Sequence, residues 1–200
     1  MSLTARDVSF RYRRGGPLIV DGFSCELNPG ETLALIAPSG AGKTTICQLL
    51  TGYLTPQHGE VLVDGEPLPE TGHCPVQMVW QQPERAVNPL MRLAATLAEG
   101  GPVERRVLAE LGIEDAWLSR YPQELSAGEI QRICLARALG PNTRYLIADE
   151  ITTMLDPISQ AAIWHFLLTW TSRRNIGLLL VTHDEVLAQR VGMRRIPLHG

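Results

Sequence analysis

The sequence predicts an α/β fold with a mainly parallel core sheet, on three observations. Short apolar stretches alternate with helical patterns along the second half of the chain, which is typical of parallel strands covered by helices. A buried strand near residue 35 runs through a glycine-rich loop directly into a helix. The 200 residues, of which 44% are hydrophobic and 20% charged, can bury one core without disulfides or metals, so we expect a single domain over residues 1–200.

The start of the chain predicts an antiparallel β subdomain. We expect strands at Leu3–Tyr12 and Gly22–Leu27, and the tight-turn residues Pro29 and Gly30 follow them. The next strand, at Thr32–Ala37, is continuously apolar, as expected of a strand buried in the core.

The segment that follows combines a helix with two short strands. The helix is predicted at Lys43–Leu50, and the strands at Glu60–Val63 and Val76–Trp80. The residues Asp64-Gly65 after the first of these strands are a favourable hairpin turn, so we expect that turn to separate the two strands.

A helical subdomain is predicted at about residues 83–138. Within it, four apolar residues fall on one face of a helix: Val103, Val107, Leu108 and Leu111. Gly112 is placed to end that helix.

The last part of the chain alternates helices and strands. We expect helices at Ala127–Leu139, Ile158–Ser172 and Glu185–Val191, and strands at Tyr145–Ala148 and Gly177–Thr182. This order predicts parallel strands joined by helical crossovers.

Charge and hydropathy exclude some classes of function. The formal net charge of -3 at pH 7 gives no basic field for DNA or RNA, so we expect no nucleic-acid partner. The most apolar stretches, Leu33–Ala37 and Gly177–Val181, are far shorter than the roughly 20 residues that span a bilayer, and no signal peptide opens the chain. We therefore expect a cytosolic protein with no transmembrane segment of its own.

Residues 37–45 read APSGAGKTT and stand between a predicted strand and a predicted helix, the context of a Walker A phosphate loop. Glycines let the backbone wrap around phosphates, and amides at the helix start point at the anion. Lys43 can reach the terminal phosphates, and the Thr44 hydroxyl can bind Mg2+. We therefore expect the nucleotide phosphates to bind at Ser39, Gly40, Ala41, Gly42, Lys43, Thr44 and Thr45.

Lys43 is the only lysine, beside seventeen arginines. Because a guanidinium cannot replace a compact ammonium in a phosphate loop, this position favours a phosphate site over an ordinary glycine-rich turn. Ala37 stands where the usual pattern begins with Gly, which is tolerable if the backbone there keeps a negative φ.

The segment from Tyr145 to Glu150 is a hydrophobic strand that ends in two acids. In such a segment Asp149 would bind Mg2+, usually through water, and Glu150 would polarise the attacking water. A pair of solvated acids at a strand end is the alternative, and the phosphate loop makes the metal site the favoured interpretation.

Residues 125–129 read LSAGE and precede a predicted helix. Small residues at a helix N-terminus form a second anion site that needs no lysine. The alternative is that Ser126 is a plain helix cap.

Taken together and in this order, these segments resemble the ATP-binding subunits of ABC transporters through nearly the whole chain. The resemblance implies a P-loop NTPase fold of the ABC type, with ATP and Mg2+ as cofactors. The family usually has LSGGQ where this chain has LSAGE, so Ser126 and Gly128 are kept while Ala127 and Glu129 depart.

The resemblance also implies roles for residues outside these motifs. Tyr12 matches the aromatic that stacks on adenine, although an edge-strand aromatic in the core is the alternative. Gln81, rather than Gln82, matches the Q-loop glutamine that couples Mg2+ and water to the helical subdomain. Asp156 matches an acid that acts across a dimer, which is compatible with capping a helix, and His183 matches a histidine that contacts the γ-phosphate.

A dimer and a membrane complex follow from the same resemblance. Lys43, Thr44, Asp149 and Gln81 would hold MgATP on one subunit, while Ser126 and Gly128 of the facing subunit cap the γ-phosphate. The implied partners are a second ATPase subunit, identical or a sibling, transmembrane permease subunits at the cytoplasmic face of the inner membrane, and a solute-binding protein.

Two stretches point to a subfamily. The sequences VQMVWQQPERAVNPLMRL and LIADEITTMLDPISQAAIW resemble the ATPases of dipeptide, oligopeptide and nickel or metallophore importers. An ABC ATPase outside transport, acting on ribosomes or DNA, and a nucleotide-binding regulator with little turnover remain the alternatives.

Overall fold

The strands of the chain form two sheets in a computed structural model that describes residues 1–153, 155–182 and 194–198. In chain order the strands are β1 Leu3–Phe10, β2 Val20–Leu27, β3 Thr32–Ile36, β4 His58–Val63, β5 Glu66–Pro67, β6 Val76–Val79, β7 Tyr145–Asp149, β8 Gly177–Thr182 and β9 Arg194–Pro197. The helices are α1 Lys43–Leu50, α2 Leu93–Ala98, α3 Arg105–Glu110, α4 Asp115–Leu118, α5 Ala127–Ala138 and α6 Pro157–Arg173, with single 3-10 turns at Pro83–Ala86 and Pro122–Glu124.

The two sheets differ in strand direction. The smaller sheet has the order β2-β1-β4-β5 and is antiparallel. The larger sheet has the order β6-β7-β8-β3-β9, and its neighbouring strands run parallel. The predicted α/β class, with a parallel core sheet and an antiparallel β subdomain, is confirmed.

Side chains of the parallel sheet alternate between two hydrophobic cores, because successive residues of a strand point to opposite faces. On β8, Leu178 and Leu180 pack with helices α5 and α6, whereas Leu179 and Val181 pack with α1 and the antiparallel sheet. Burial on both faces explains why this strand is continuously apolar.

The hairpin turn at Asp64-Gly65 forms, but its second strand is not the one that the sequence suggested. Both residues have positive φ, 57° and 85°, as a two-residue type I′ turn requires. The turn joins β4 to the short β5, while Val76–Val79 pairs with β7 in the parallel sheet. The expectation that this turn separates two hairpin strands at 60–63 and 76–80 is therefore wrong, because the second strand is largely buried and belongs to the core sheet.

Short helices occupy the segment between β6 and β7, as predicted. Val107 and Leu111 are fully buried, and Gly112 adopts a positive φ of 63° immediately after the last turn of α3. Glycine is favoured in that conformation, so the predicted helix stop is confirmed. The predicted helix at Glu185–Val191 lies outside the described residues.

The register of the parallel sheet brings three loops to one edge. Ile36 pairs with Thr182, Asp149 with Val181, and Val79 with Ala148. The chain therefore leaves β3, β6 and β7 at the same carboxyl edge, where ligand sites of parallel α/β sheets form. Among the described residues, no helix is both long and apolar enough to cross a membrane.

Candidate active site

The loop between β3 and α1 is shaped by two glycines in the left-handed region. Gly40 has a φ of 84° and Gly42, which caps α1, a φ of 83°. A Cβ on Gly42 would lie 2.7 Å from the Ile19 carbonyl oxygen, so only glycine fits there. Ala37 does not adopt positive φ, so the methyl group that replaces the usual glycine causes no backbone strain.

The side chain of Lys43 is held in place by hydrogen bonds to the start of the same loop. Its Nζ donates to the carbonyl oxygens of Ala37 at 2.9 Å and Pro38 at 3.1 Å, and lies 3.2 Å from Oε1 of Glu150. The side chains of Lys43 and Glu150 are only 7% and 11% exposed. The ammonium therefore faces the loop with its charge balanced by a nearly buried carboxylate.

Thr44 and Asp149 connect the phosphate loop to the strand that ends in two acids, although they are 105 positions apart in the sequence. The Thr44 hydroxyl donates to Oδ2 of Asp149 at 2.7 Å, and Asp149 is 2% exposed. Burial raises the pKa of the Asp149 carboxyl above its usual value, and the hydrogen bond from Thr44 opposes that shift. A buried carboxylate beside a hydroxyl oxygen is a donor set that suits Mg2+.

Glu150 has the backbone conformation of a strained residue. Its φ is 48°, and its backbone N–H donates to the Val181 carbonyl at 3.0 Å. Gln81 donates from Nε2 to Oε2 of Glu150 at 3.1 Å. Non-glycine residues in this region are concentrated at functional sites, and a carboxylate held from two sides can orient a water and accept its proton.

Lys43, Thr44, Gln81 and Glu150 border one cavity of about 320 Å³, whereas Asp149 is not among the residues that line it. It is lined by Ile19, Ser39, Gly40, Gly42, Lys43, Thr44, Thr45, Gln81 and Glu150. The structure thus brings six of the seven predicted loop residues together with Gln81 and Glu150. Ala41 does not line this cavity, and its N–H donates to the Pro38 carbonyl. The lining residue Ile19 was not singled out from the sequence, because the loop after β1 carries no pattern that predicts where it folds.

Tyr12 lies beside α1 with its ring accessible. It is 59% exposed, and its hydroxyl lies 3.1 Å from Oγ1 of Thr45. The Phe10 ring packs edge-on against it, with 5.1 Å between ring centroids. The alternative of a core aromatic is therefore wrong for Tyr12, which presents an aromatic face next to the phosphate loop.

The LSAGE segment forms a capped helix start away from this cavity. Ser126 caps α5, and its N–H and hydroxyl both donate to Oε2 of Glu129 at 2.7 Å. The hydrogen bonds from Ser126, the hydroxyl bond first, hold the pKa of Glu129 below its usual value. A Cβ on Gly128 would lie 2.8 Å from the Leu155 side chain, so this segment packs against the loop after β7.

Asp156 caps α6. Its Oδ1 accepts from the backbone N–H groups of Ile158 at 3.0 Å and Ser159 at 3.1 Å, and hydrogen bonding, led by the Ser159 side chain, holds its pKa below the usual value. The capping that the sequence allowed is therefore present. Asp156, Ser126 and Gly128 are not among the residues that line the cavity, and His183 lies outside the described residues.

Comparison with protein families and curated proteins gives one consistent result. Residues 20–153 match the family model described as "ABC transporter". The chain is 33% identical to the nickel import ATP-binding protein NikE of Rhodospirillum rubrum, an alignment covering 98% of this chain and 78% of that protein. It is 32% identical to the protein of the same name from Escherichia coli K12, covering 96% of this chain and 81% of the relative.

Solved structures support the fold. The dimeric structure of a post-hydrolysis state of the ATP-binding cassette MJ0796 bound to ADP and Pi has a TM-score of 0.83 at 24% identity, covering 98% of this chain and 94% of that one. A structure of the ATP-binding subunit of an ABC transporter has a TM-score of 0.83 at 23% identity and covers 100% of this chain and 86% of its own.

Proposed function

The chain belongs to the family of ABC transporter ATP-binding domains, and we propose that it hydrolyses ATP to drive nickel import through a separate permease. The imported nickel would be the free ion or a nickel chelate. One observation carries the hydrolytic part: Lys43, Thr44, Gln81 and Glu150 converge on one cavity at the carboxyl edge of the parallel sheet. The choice of nickel rests on the names of the relatives, which cover nearly the whole chain. Peptide import is the second candidate, from the resemblance of the segments around Gln81 and Asp156 to peptide-importer ATPases.

The phosphate loop binds the triphosphate in this proposal. Backbone amides between Ser39 and Thr45 point toward the phosphates at the start of α1, and the Lys43 ammonium neutralises the terminal ones. Tyr12 stacks on the adenine ring, for which its exposed face beside α1 is suited.

Three residues would hold Mg2+ with the nucleotide: Thr44, Asp149 and Gln81. The hydroxyl and the buried carboxylate already lie within hydrogen-bond distance of each other, so the donor set fits a hard cation. The ion, when bound, neutralises charge on the β- and γ-phosphates.

Glu150 acts as the general base. Its carboxylate orients a water and takes its proton as the water oxygen attacks the γ-phosphorus, and the bond to the ADP oxygen breaks to release phosphate. Gln81, which contacts this carboxylate, orients the same water and senses the γ-phosphate. His183 is proposed to contact the γ-phosphate from the end of β8.

Two subunits complete each site in a head-to-tail dimer. Since Ser126 and Gly128 do not line the cavity of their own chain, they are proposed to cap the γ-phosphate held by the facing subunit, with Asp156 acting across the same interface. The second subunit is an identical copy or a sibling. Hydrolysis removes the bridging phosphate and allows the dimer to open.

In this proposal the chain lies at the cytoplasmic face of the inner membrane. We propose that residues 1–200 act as one ATPase domain, whose helical subdomain at about 83–138 moves the permease as the dimer closes and opens. A solute-binding protein would deliver the substrate on the opposite side.

Radioactive nickel uptake tests this function in cells that lack the chain. Wild-type protein should restore uptake, and Lys43→Ala should not, while uptake of a labelled tripeptide is unchanged by either. Restoration of tripeptide uptake without nickel uptake would overturn the substrate assignment. Restoration by Lys43→Ala would overturn the assignment of ATP hydrolysis as the energy source.

A further inference from the structure

Gln131 is a polar residue on the buried face of α5. It is 3% exposed and lies between Ile130 and Ile133, which are 3% and 0% exposed. Its Oε1 is buried and has no hydrogen-bond partner among the residues that the structure describes. An apolar side chain of similar size would avoid that cost, so the amide is not explained by stability alone.

Among the described residues, the Gln131 side-chain amide makes one hydrogen bond, and that bond leads toward the proposed base. Nε2 donates to the carbonyl oxygen of Trp80 at 3.2 Å. Trp80 directly precedes Gln81, whose Nε2 donates to Oε2 of Glu150 at 3.1 Å. Two hydrogen bonds and one peptide unit therefore connect α5 to the carboxylate that would activate water.

The same helix begins at the segment proposed to face the other subunit. Ser126 caps α5, and Gln131 lies five positions later in the same continuous helix. Because a helix moves as a rigid element, a displacement of its N-terminus is transmitted to the Trp80 carbonyl through Gln131.

We propose that Gln131 is a positioning residue: it fixes the backbone at Trp80 so that Gln81 reaches Glu150 only when α5 is seated. The proposal rests on the ATPase function proposed above. It assigns Gln131 a role in the rate of hydrolysis rather than in nucleotide binding or folding.

Steady-state hydrolysis by Gln131→Met tests the proposal, because methionine keeps the size and removes the donor. We expect kcat to fall about tenfold and KM for ATP to stay within about twofold. The melting temperature should change little, because loss of the hydrogen bond to the Trp80 carbonyl is offset by removal of a buried unpartnered oxygen. A fall in kcat that is matched by a lower melting temperature and a higher KM would overturn the proposal in favour of a structural role.

Gln77→Met is the matched control. Its Nε2 also donates to a backbone carbonyl, that of Cys74 at 2.7 Å, from strand β6, but the bond does not lead to Glu150. We expect its kcat to remain at the wild-type value. An equal fall in kcat for Gln77→Met and Gln131→Met would overturn a specific role for Gln131.

A double-mutant cycle identifies the path. If Gln131 acts through Gln81, Gln131→Met should cause no further loss of kcat in a Gln81→Ala background. Additive losses of kcat would overturn the proposal that Gln131 acts through Gln81. If wild type is active and Gln131→Met hydrolyses ATP equally fast, the proposed positioning role of Gln131 is overturned. A wild-type chain without Mg2+-dependent hydrolysis would instead overturn the proposed ATPase function and, with it, this inference.

Discussion

The ammonium of Lys43 lies 3.2 Å from the carboxylate of Glu150, and both side chains are nearly buried. The proposed phosphate-binding cation and the proposed base therefore neutralise each other across the cavity. A buried charge whose partner is removed destabilises a protein, whereas a bound triphosphate supplies new negative charge to the same ammonium.

Glu150→Gln should lower the melting temperature when no nucleotide is added, because Lys43 loses a charged partner and keeps two carbonyl acceptors. The expected loss in unfolding free energy is about 2 kcal/mol, as for a hydrogen bond to a charged group. MgATP should raise the melting temperature more in this variant than in wild type. Thermal unfolding with and without MgATP measures both changes in melting temperature, and Glu70→Gln, at an exposed position, is the control. Equal stability of Glu150→Gln and wild type without nucleotide would contradict the importance of the Lys43–Glu150 ion pair.

Thr44→Val should abolish the Mg2+ dependence of nucleotide binding, because it removes the hydroxyl that donates to Asp149. Thr44→Ser keeps that hydroxyl and should retain the dependence. The control is Thr51→Val, which removes a hydroxyl that donates to the Cys47 carbonyl. Titration with a fluorescent ATP analogue, with and without Mg2+, distinguishes the variants; Mg2+-enhanced binding by Thr44→Val would count against the proposed metal site.

Glu129→Gln should strengthen ATP-dependent dimerisation. The Glu129 carboxylate lies at the helix start that would face the other subunit's triphosphate, and it accepts a hydrogen bond from the Ser126 hydroxyl. Glutamine removes the negative charge at this helix start and still accepts a hydrogen bond in the cap. Light scattering in the presence of ATP measures dimer formation, with Glu129→Gln introduced into chains that already carry Glu150→Gln. Glu124→Gln is the control, since Glu124 forms the same kind of cap at Tyr121.

The Glu129 cap also predicts a pH dependence. Because its pKa is lowered in the folded chain, first by the Ser126 hydroxyl, the carboxylate contributes stability above the ordinary pKa of Glu. That contribution is lost as the pH falls through the lowered pKa. Glu129→Gln should therefore show a flatter acid limb in unfolding free energy against pH, and an identical acid limb would show that the cap contributes nothing measurable.

Tyr12→Ala should weaken ATP binding about tenfold, because base stacking on an aromatic ring contributes about 1–3 kcal/mol. Tyr12→Phe keeps the ring, loses only the hydroxyl that contacts Thr45, and should bind almost as wild type. Binding of inorganic tripolyphosphate, which has no base, should not change in either variant. The exposed Tyr53→Ala is the control, and a loss of tripolyphosphate affinity in Tyr12→Ala would argue against stacking.

Local chemistry made much of this molecule predictable. The phosphate loop, the strand that ends in Asp149 and the cap at Asp156 each depend on residues that are close in sequence, and α1 begins at Lys43 as predicted. The parallel sheet followed from the alternation of apolar strands and helices.

The remaining features depend on tertiary register. Thr44 and Asp149 are 105 positions apart, and no local pattern predicts that they meet in one hydrogen bond. The same holds for the approach of Gln131 to Trp80 and for the second strand of the Asp64-Gly65 hairpin. The turn residues Asp64-Gly65 are favourable whichever strand follows them. Val76–Val79 instead pairs with β7 in the core sheet, and this tertiary pairing decides which strand completes the hairpin.

The central claim is that this cavity hydrolyses ATP, and Mg2+-dependent phosphate release by the purified chain tests it most directly. Wild-type protein should release phosphate only when Mg2+ is present, and both Lys43→Ala and Lys43→Arg should lose that activity, because the small ammonium is held by the Ala37 and Pro38 carbonyls in a nearly buried position. Phosphate release by Lys43→Ala at the wild-type rate would contradict the claim.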